Sequence, residues 1–225
     1  KWIFQHADLI ISTNKLVKKY ICKSYDIKNN KVEILPNSID TNLFSPQMAN
    51  KEYDIIYVGR LHKEKNLILL KSAIDLMKIP LNILIIGDGN YEILKMIKNT
   101  KIHYIKHIQY LNNKDIPLYL NKAKLFVLPS LYEGNPKTLL EAMACGLPVI
   151  GNNAPGISDV IIHGKNGLLI NNDANELKET IELILNNKKS SDTLGKNARE
   201  YIIENISIGK IISQEVKLIN NLFSN

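Results

Sequence analysis

Short apolar runs alternate with longer amphipathic stretches through most of this chain. The runs have the length of strands and are mostly apolar throughout, as a sheet covered on both faces requires. They predict strands at Asp54 to Val58, Asn82 to Ile86, Ile102 to Ile105, Leu125 to Leu128, Val149 to Ile150 and Gly167 to Ile170. The stretches between them predict helices at Asn66 to Lys78, Tyr91 to Lys98, Asn113 to Asn121, Pro136 to Cys145 and Ile157 to Ile161. Because strands that alternate with helices form parallel βαβ units, the sequence predicts an α/β fold with a doubly wound parallel sheet.

The two ends of the chain differ from this middle part. Before it, the pattern predicts a strand at Ala7 to Ser12, a helix at Asn14 to Lys23 and a strand at Lys31 to Leu35. The polar stretch from Ser38 to Glu52 follows and is typical of a linker. After the sheet, three consecutive helices are predicted at Ala174 to Asn186, Ser191 to Glu204 and Ile208 to Leu222.

Composition excludes several classes of protein. The chain has 225 residues, 45% of them apolar, which suits one large or two small globular domains. No apolar run has the length of a membrane span, and the N-terminus lacks the layout of a signal peptide. Cys22 and Cys145 are too few for a disulfide framework, so we expect a reducing, cytoplasmic environment. Because the chain starts at Lys1 without Met, we expect it to be a fragment or a processed form.

The net charge of +7 has two interpretations. The simpler one is a solvated lysine-rich surface, and the sharper one is a basic face for anionic lipid or a phosphorylated substrate. Lysines cluster near the start of the chain, partly at helical spacing: Lys15, Lys18, Lys19, Lys23, Lys28 and Lys31. No recognisable nucleic-acid motif accompanies them, so nucleic acid is not an expected partner.

The most specific signal for function is a pair of glutamates. The apolar strand that ends at Leu128 leads into a loop with Glu133, and a helix from Pro136 to Cys145 follows and contains Glu141. Glu133 is therefore predicted at the carboxyl end of a strand and beside the N-terminus of a helix. Open α/β sheets bind ligands at this edge, and the free N–H groups of the helix attract anions.

This segment resembles the signature of glycosyltransferase family 4, whose retaining enzymes have the GT-B fold and use nucleotide-sugar donors. The family pattern is Glu, seven residues and Glu on a small-residue helix that ends in Gly-x-Pro-Val-Ile, as Glu133 to Ile150 has here. The resemblance implies two Rossmann-like domains with a cleft between them. It assigns residues 1–50 to a remnant of the N-terminal, acceptor-side domain with the hinge, and residues 51–205 to the donor-binding domain. Residues 206–225 would be a helix that crosses back to the N-terminal domain.

The resemblance also implies how the donor diphosphate is held. Gly59, Arg60 and Lys65 match a Gly-Arg-Leu…Glu-Lys-Gly motif whose arginine and lysine bind the phosphates, although Asn66 stands in place of the last glycine. Fixed positive charge and backbone N–H groups are what a diphosphate requires. Considered alone, the same stretch could be an exposed turn with incidental charges.

The glutamates would hold the sugars of the donor. The resemblance assigns the ribose hydroxyls to Glu141 and the donor sugar to Glu133, near the reaction centre, and a carboxylate suits vicinal hydroxyls as an acceptor. The start of the intervening helix would face the sugar or phosphate through Gly134, Asn135, Pro136, Lys137, Thr138 and Leu139. Pro136 removes one N–H donor from this set.

The resemblance also implies that the base contacts main-chain atoms near Ile108. Lys106 replaces a common glycine there, and His107 is more simply explained as a surface residue. Gly87-Asp88-Gly89 is a weak signal for a phosphate loop, since such turns are common after strands. The sequence has no Gly-x-Gly-x-x-Gly and no Walker motif, which argues against NAD and ATP.

These expectations together describe a transferase. No cofactor and no metal are expected, and Arg60, Lys65 and the helix dipole would stabilise the leaving diphosphate. The resemblance implies transfer of a hexose or N-acetylhexosamine, with a UDP-sugar favoured, to a glycan or lipid-linked acceptor in surface polysaccharide or glycolipid assembly. Peripheral contact with an anionic membrane is instead the sharper interpretation of the positive charge. The resemblance also implies that this chain alone transfers poorly or not at all. A UDP-N-acetylhexosamine epimerase of the same fold and a non-catalytic nucleotide-sugar-binding subunit remain alternatives.

Overall fold

The computed structural model describes residues 2–223 and contains a six-stranded parallel sheet and a separate two-stranded one. The strands are β1 (Ile10–Ser12), β2 (Val32–Ile34), β3 (Tyr53–Val58), β4 (Asn82–Ile86), β5 (Tyr104–Ile108), β6 (Ala123–Leu128), β7 (Val149–Asn152) and β8 (Leu168–Ile170). The helices are α1 (Trp2–His6), α2 (Lys15–Tyr25), α3 (Leu67–Asp75), α4 (Tyr91–Lys98), α5 (Ile116–Asn121), α6 (Lys137–Ala144), α7 (Ala174–Asn186), α8 (Lys188–Asn205) and α9 (Ile208–Phe223). The α/β class predicted from the pattern is confirmed.

The order of strands in the large sheet determines where a ligand can bind. The order is β5-β4-β3-β6-β7-β8, and every neighbouring pair is parallel. The chain therefore moves outward from β3 to β5 and then returns to the other side of β3 with β6. This is the strand order of a Rossmann fold, and the reversal between β3 and β6 is its topological switch point, where a crevice opens at the carboxyl ends of the strands.

The two strands at the switch point lie in the centre of the core. Ile55 and Ile56 of β3 and Leu125 and Phe126 of β6 are fully buried. Burial on both faces explains why the sequence of these strands is apolar throughout rather than alternating. Two rigid central strands thus support the loops that follow Val58 and Leu128.

The N-terminal part has its own small core. β1 and β2 pair in parallel, and Ile10, Ile21, Ile27 and Val32 form a hydrophobic cluster distinct from the main one. The predicted linker that follows is irregular but closely packed, since Ile39 and Phe44 are buried in the main core. Ile39 also forms a β-bridge with Ser207, at the junction of α8 and α9.

Several predicted elements have ends that are displaced by up to three residues, and three further differences have a physical interest of their own. The strand expected at Ile102 to Ile105 lies at Tyr104–Ile108, because β5 is an edge strand that tolerates exposed Lys106. The helix expected at Ile157 to Ile161 is a run of turns. The short helix α1 was not predicted from the hydrophobic pattern.

Candidate functional site

The loop after β3 packs against the turn that follows β4. Gly87 and Gly89 both have φ of +144°. A Cβ on Gly87 would lie 2.0 Å from the carbonyl oxygen of Gly59, and one on Gly89 would lie 2.4 Å from that of Leu61. The Gly87-Asp88-Gly89 turn therefore has a structural role, which is to let two backbone segments approach closely.

Lys65 ends a short 3₁₀-helix within the same loop. The following residue, Asn66, has φ of +51° and ψ of +40°, in the left-handed region. Asparagine is one of the few residues with a side chain that adopts this region readily. This explains why Asn66 can stand where the resemblance leads one to expect glycine.

Lys65 and Glu133 form an ion pair across the switch point. The Lys65 Nζ lies 2.7 Å from Oε1 and 2.9 Å from Oε2 of Glu133. A backbone bond from Leu131 N–H to the Glu64 carbonyl, 2.9 Å long, joins the same two loops. The structure thus brings together two predicted site residues that lie 68 positions apart in the chain.

Glu133 is held rigidly and is only 8% exposed. The Ser130 hydroxyl donates to its Oε1 at 2.7 Å, and its own N–H donates to the Pro155 carbonyl at 2.9 Å. Gly156, at φ of +83°, packs so closely that a Cβ there would lie 1.9 Å from the Glu133 carbonyl oxygen. The carboxylate is therefore fixed in position before any ligand binds.

The charge of Glu133 also reaches a buried phenol. Tyr57 on β3 is fully buried, and its hydroxyl donates to the Arg60 carbonyl at 2.9 Å. Burial, together with the nearby charge of Glu133, raises the pKa of Tyr57 well above its usual value. The phenol therefore stays neutral and serves to fix the backbone of Arg60.

Glu141 lies on α6 and is 1% exposed. Its Oε1 accepts a hydrogen bond from Asn113 Nδ2 at 3.0 Å and lies 3.6 Å from Lys137 Nζ. Burial raises the pKa of Glu141, and the contacts with Asn113 and Lys137 oppose that rise. The site thus contains a desolvated carboxylate with two polar neighbours.

The first turn of α6 offers free N–H groups. Within residues 2–223, no backbone hydrogen bond is made by the N–H of Asn135, Thr138 or Leu139, whereas the N–H of Lys137 donates to the Asn135 carbonyl at 2.9 Å. Pro136 has no N–H. Three N–H groups are therefore available for the anion that this turn was predicted to face. Leu139 can contribute only its backbone N–H, because its side chain is fully buried.

The remaining predicted residues lie around this centre. Gly59 directly follows β3, and its N–H donates to the Ile86 carbonyl at 2.9 Å. Arg60 is exposed, and its guanidinium forms no ion pair within the part of the chain that the structure describes. Ile108 ends β5 and is half-buried. The Nε2 of His107 donates to the Gly87 carbonyl at 2.8 Å, so this nitrogen already has a partner within the protein.

Several residues of the site were not predicted from the sequence. Ser130 and Asn113 hold the two glutamates, Gly156 buttresses the Glu133 loop, and Asn14 donates through Nδ2 to the Gly134 carbonyl. Asn14 also caps α2, accepting from Val17 N–H at 2.8 Å. Of these contacts, only the capping of α2 by Asn14 has a local signal in the sequence, since asparagine is common immediately before a helix.

The N-terminal lysines divide by role. Lys15, Lys18, Lys19 and Lys23 line a groove along α2, whereas Lys31 donates to the carbonyls of Gln5 and Ala7.

A separate, largely apolar cavity of about 140 Å³ lies between Thr13, Pro36 and the start of α6. Among residues 2–223, no group of three or more His, Cys, Asp or Glu side chains is arranged to hold a metal ion. Over the same range, no helix has the length and apolar character needed to cross a membrane.

The fold and this site define an α/β protein in which charged side chains meet at the switch point of a Rossmann-like sheet. A family model described as "Glycosyl transferases group 1" matches residues 38–201. The chain therefore belongs to the group 1 glycosyltransferases. Similarity to solved structures agrees with the C-terminal half of a GT-B fold.

Two curated relatives and one solved structure illustrate the similarity. The chain is 34% identical over 211 residues to an uncharacterised glycosyltransferase of Methanocaldococcus jannaschii, covering 89% of this chain and 57% of the relative. It is 29% identical over 218 residues to the UDP-Gal:alpha-D-GlcNAc-diphosphoundecaprenol alpha-1,3-galactosyltransferase of Escherichia coli, covering 87% and 56%. The crystal structure of Anabaena HepE with UDP and glucose superposes with a TM-score of 0.83 at 18% identity, covering 97% of this chain and 64% of that one. The chain thus spans less than two thirds of the length of each.

Proposed function

We propose that this chain is the donor-binding part of a retaining glycosyltransferase of family 4. The observation that carries the proposal is the arrangement at the switch point. There, Lys65 and Glu133 meet from the loops after β3 and β6, and Glu141 lies on the helix that follows. Ligands of open α/β sheets bind at this point.

The diphosphate of a nucleotide sugar would lie between Arg60, Lys65 and the start of α6. Arg60 is exposed, and the N–H groups of Thr138 and Leu139 are free of backbone bonds within residues 2–223. Positive charge and a helix N-terminus would stabilise the charge that develops on the leaving nucleoside diphosphate, so no metal ion is required by this scheme.

The two glutamates would take different sugars. Glu133, fixed by Lys65 and Ser130, would accept hydrogen bonds from hydroxyls of the donor sugar near the reaction centre. Glu141 would accept from the ribose hydroxyls. The acceptor would then attack an oxocarbenium-like sugar from the face on which the diphosphate leaves, which retains the anomeric configuration. Glu133 has no role as a nucleophile in this scheme.

Similarity to characterised proteins supports a UDP-sugar as the donor. The E. coli relative is named for UDP-Gal, and Anabaena HepE binds UDP and glucose. By the same comparison, we propose a hexose or N-acetylhexosamine as the transferred group and a glycan or lipid-linked sugar as the acceptor. The groove along α2 with its four lysines would place the enzyme at an anionic membrane.

The alternatives are less well supported. An epimerase of the same fold would act on a UDP-N-acetylhexosamine without an acceptor, and the matches to glycosyltransferases favour transfer instead. A non-catalytic binding subunit would not need Glu133 to be held in place, whereas here three contacts fix it. Incubation of the donor without acceptor, followed by NMR of the nucleotide sugar, would reveal epimerisation.

Calorimetric titration with UDP, GDP and ADP tests the proposal. We expect saturable binding of UDP by the wild type, weakened about tenfold or more by Arg60→Ala, because a charge-assisted hydrogen bond to phosphate is lost. Lys63→Ala is the matched control, since Lys63 is an exposed cation in the same loop. Equal losses in both variants would indicate only general electrostatic attraction, and no binding of any of the three would contradict the proposal.

A further inference from the structure

Asn113 makes a contact that the proposed chemistry does not explain. It begins a 3₁₀-helix, Asn113–Asp115, between β5 and α5, and is exposed to solvent. Its Nδ2 nevertheless reaches the nearly fully buried Glu141 on α6 and donates to Oε1 at 3.0 Å. The contact joins the segment before α5 to α6, and α5 itself also packs against α6.

The two oxygens of Glu141 are used unequally. Asn113 Nδ2 and Lys137 Nζ both approach Oε1, at 3.0 Å and 3.6 Å. Oε2 accepts no hydrogen bond from any residue that the structure describes, yet it is not among the fully buried polar atoms without a partner. Oε1 is thus bonded within the protein, whereas Oε2 remains available to accept a hydrogen bond from a ligand.

A carboxylate that is held through only one oxygen has a defined orientation. Rotation about the last side-chain torsion of glutamate is soft, and the preference is broad and roughly two-fold. A hydrogen bond to one oxygen selects among these rotations and so fixes the direction in which the second oxygen points. Pre-organisation of this kind contributes affinity because the ligand does not have to order the group itself.

We propose that Asn113 is a positioning residue, which holds Oε1 of Glu141 so that Oε2 is presented to the ribose hydroxyls of the donor. This inference rests on the proposed nucleotide-sugar site and adds to it the residue that determines ribose recognition. Asn113 acts on the ribose through Glu141, and Lys137 supports the same oxygen from the neighbouring turn of α6.

The test compares the affinity for UDP with that for 2′-deoxy-UDP, measured by calorimetry on the 225-residue chain. The wild type is expected to bind UDP about tenfold or more tightly than 2′-deoxy-UDP, since a hydrogen bond to a charged acceptor is lost. In Asn113→Ala this ratio is expected to fall to about threefold or less, because Glu141 is no longer held in one orientation. Asn113→Asp, which keeps the shape but replaces the donating amide, is expected to lose the ratio as well.

Asn112→Ala is the matched control. Asn112 precedes Asn113 in the same loop, is exposed, and makes no hydrogen bond to Glu141. Its variant is expected to keep the wild-type ratio, and melting temperatures of all variants would show that each is folded.

Two results would overturn the inference. The first is an unchanged ratio in Asn113→Ala and Asn113→Asp, even if both bind UDP more weakly. The second is an equal loss of the ratio in Asn112→Ala. If instead the wild type binds both nucleotides equally or binds neither, the proposed role of Glu141 at the ribose is itself wrong, and the inference falls with it.

Discussion

At the scale of single residues, Glu141 illustrates how a buried carboxylate costs stability. A carboxylate with 1% exposure has lost almost all of its hydration, and the ion pair with Lys137 and the bond from Asn113 only partly compensate. Burial therefore raises the pKa of Glu141 above its ordinary value of 4.5. The unfolded chain binds fewer protons here than the folded one at pH values between these two pKa values.

The pH dependence of stability follows from this difference. As the pH rises from 4.5 through the raised pKa of Glu141, the free energy of unfolding falls. The protein is therefore less stable at pH 7 than it would be with this carboxyl protonated. The Cys145 thiol, which also interacts with Glu141, stays neutral because burial raises its pKa to about 12. We expect Glu141→Gln, which can keep the bond from Asn113, to have a higher melting temperature than the wild type at pH 7.

The comparison of melting temperatures from pH 4 to pH 8 checks this expectation. The gain in Glu141→Gln should shrink toward the lower end of the range, where the wild-type carboxyl is protonated in both states. Glu179→Gln, at an exposed position of α7, is the control and should show no such trend. A Glu141→Gln protein that is less stable than the wild type at pH 7 would mean that its ion pair outweighs desolvation.

At the scale of secondary-structure elements, the loop that carries Glu133 depends on a close contact with the turn at Gly156. A Cβ at Gly156 would lie 1.9 Å from the Glu133 carbonyl oxygen, and the backbone there is left-handed. We expect Gly156→Ala to destabilise the protein by about 3 kcal/mol or more, from backbone strain and overpacking together, and to weaken UDP binding. Urea denaturation and calorimetry would measure the two effects.

Gly164→Ala separates strain from packing. Gly164 also has a positive φ, of +76°, but an added Cβ there would meet nothing within 4 Å. This variant should lose about 1–2 kcal/mol and retain UDP binding. If Gly156→Ala behaves like Gly164→Ala in both measurements, the Glu133 loop does not depend on this contact.

The elements themselves were largely predictable from the sequence, and the contacts between them were not. Apolar runs indicated β3, β4, β6, β7 and β8 because these strands are buried on both faces. The predicted position of β5 was wrong, because this edge strand carries polar residues that interrupt the apolar pattern. The bonds of Ser130 and Asn113 to the two glutamates have no signature in the sequence: one is a short-range loop contact, and the other joins residues 28 positions apart.

At the scale of the whole molecule, Arg199 connects three parts of the chain. From α8 its guanidinium donates to the carbonyls of Thr41, Phe44 and Ala144, at 2.9, 2.6 and 2.7 Å. Two of these carbonyls belong to the linker and the third ends α6. The irregular linker is therefore anchored against the domain that carries the site, which its polar sequence did not indicate.

Loss of this anchor should destabilise the protein. We expect Arg199→Ala to lower the free energy of unfolding by about 2–4 kcal/mol, because three carbonyl groups lose a charged donor. Lys196→Ala on the same helix removes only an exposed ion pair with Glu200 and should change stability by less than about 0.5 kcal/mol. Equal effects of the two variants in urea denaturation would show that the linker is held by other contacts.

The molecule as a whole is organised around the reversal of strand order between β3 and β6. A crystal structure of the chain with UDP tests this claim most directly. We predict the diphosphate between Arg60, Lys65 and the first turn of α6, and the ribose within about 2.6–3.2 Å of a Glu141 oxygen. UDP bound elsewhere, for example in the cavity beside Thr13 and Pro36 with Glu133 and Glu141 untouched, would contradict the account.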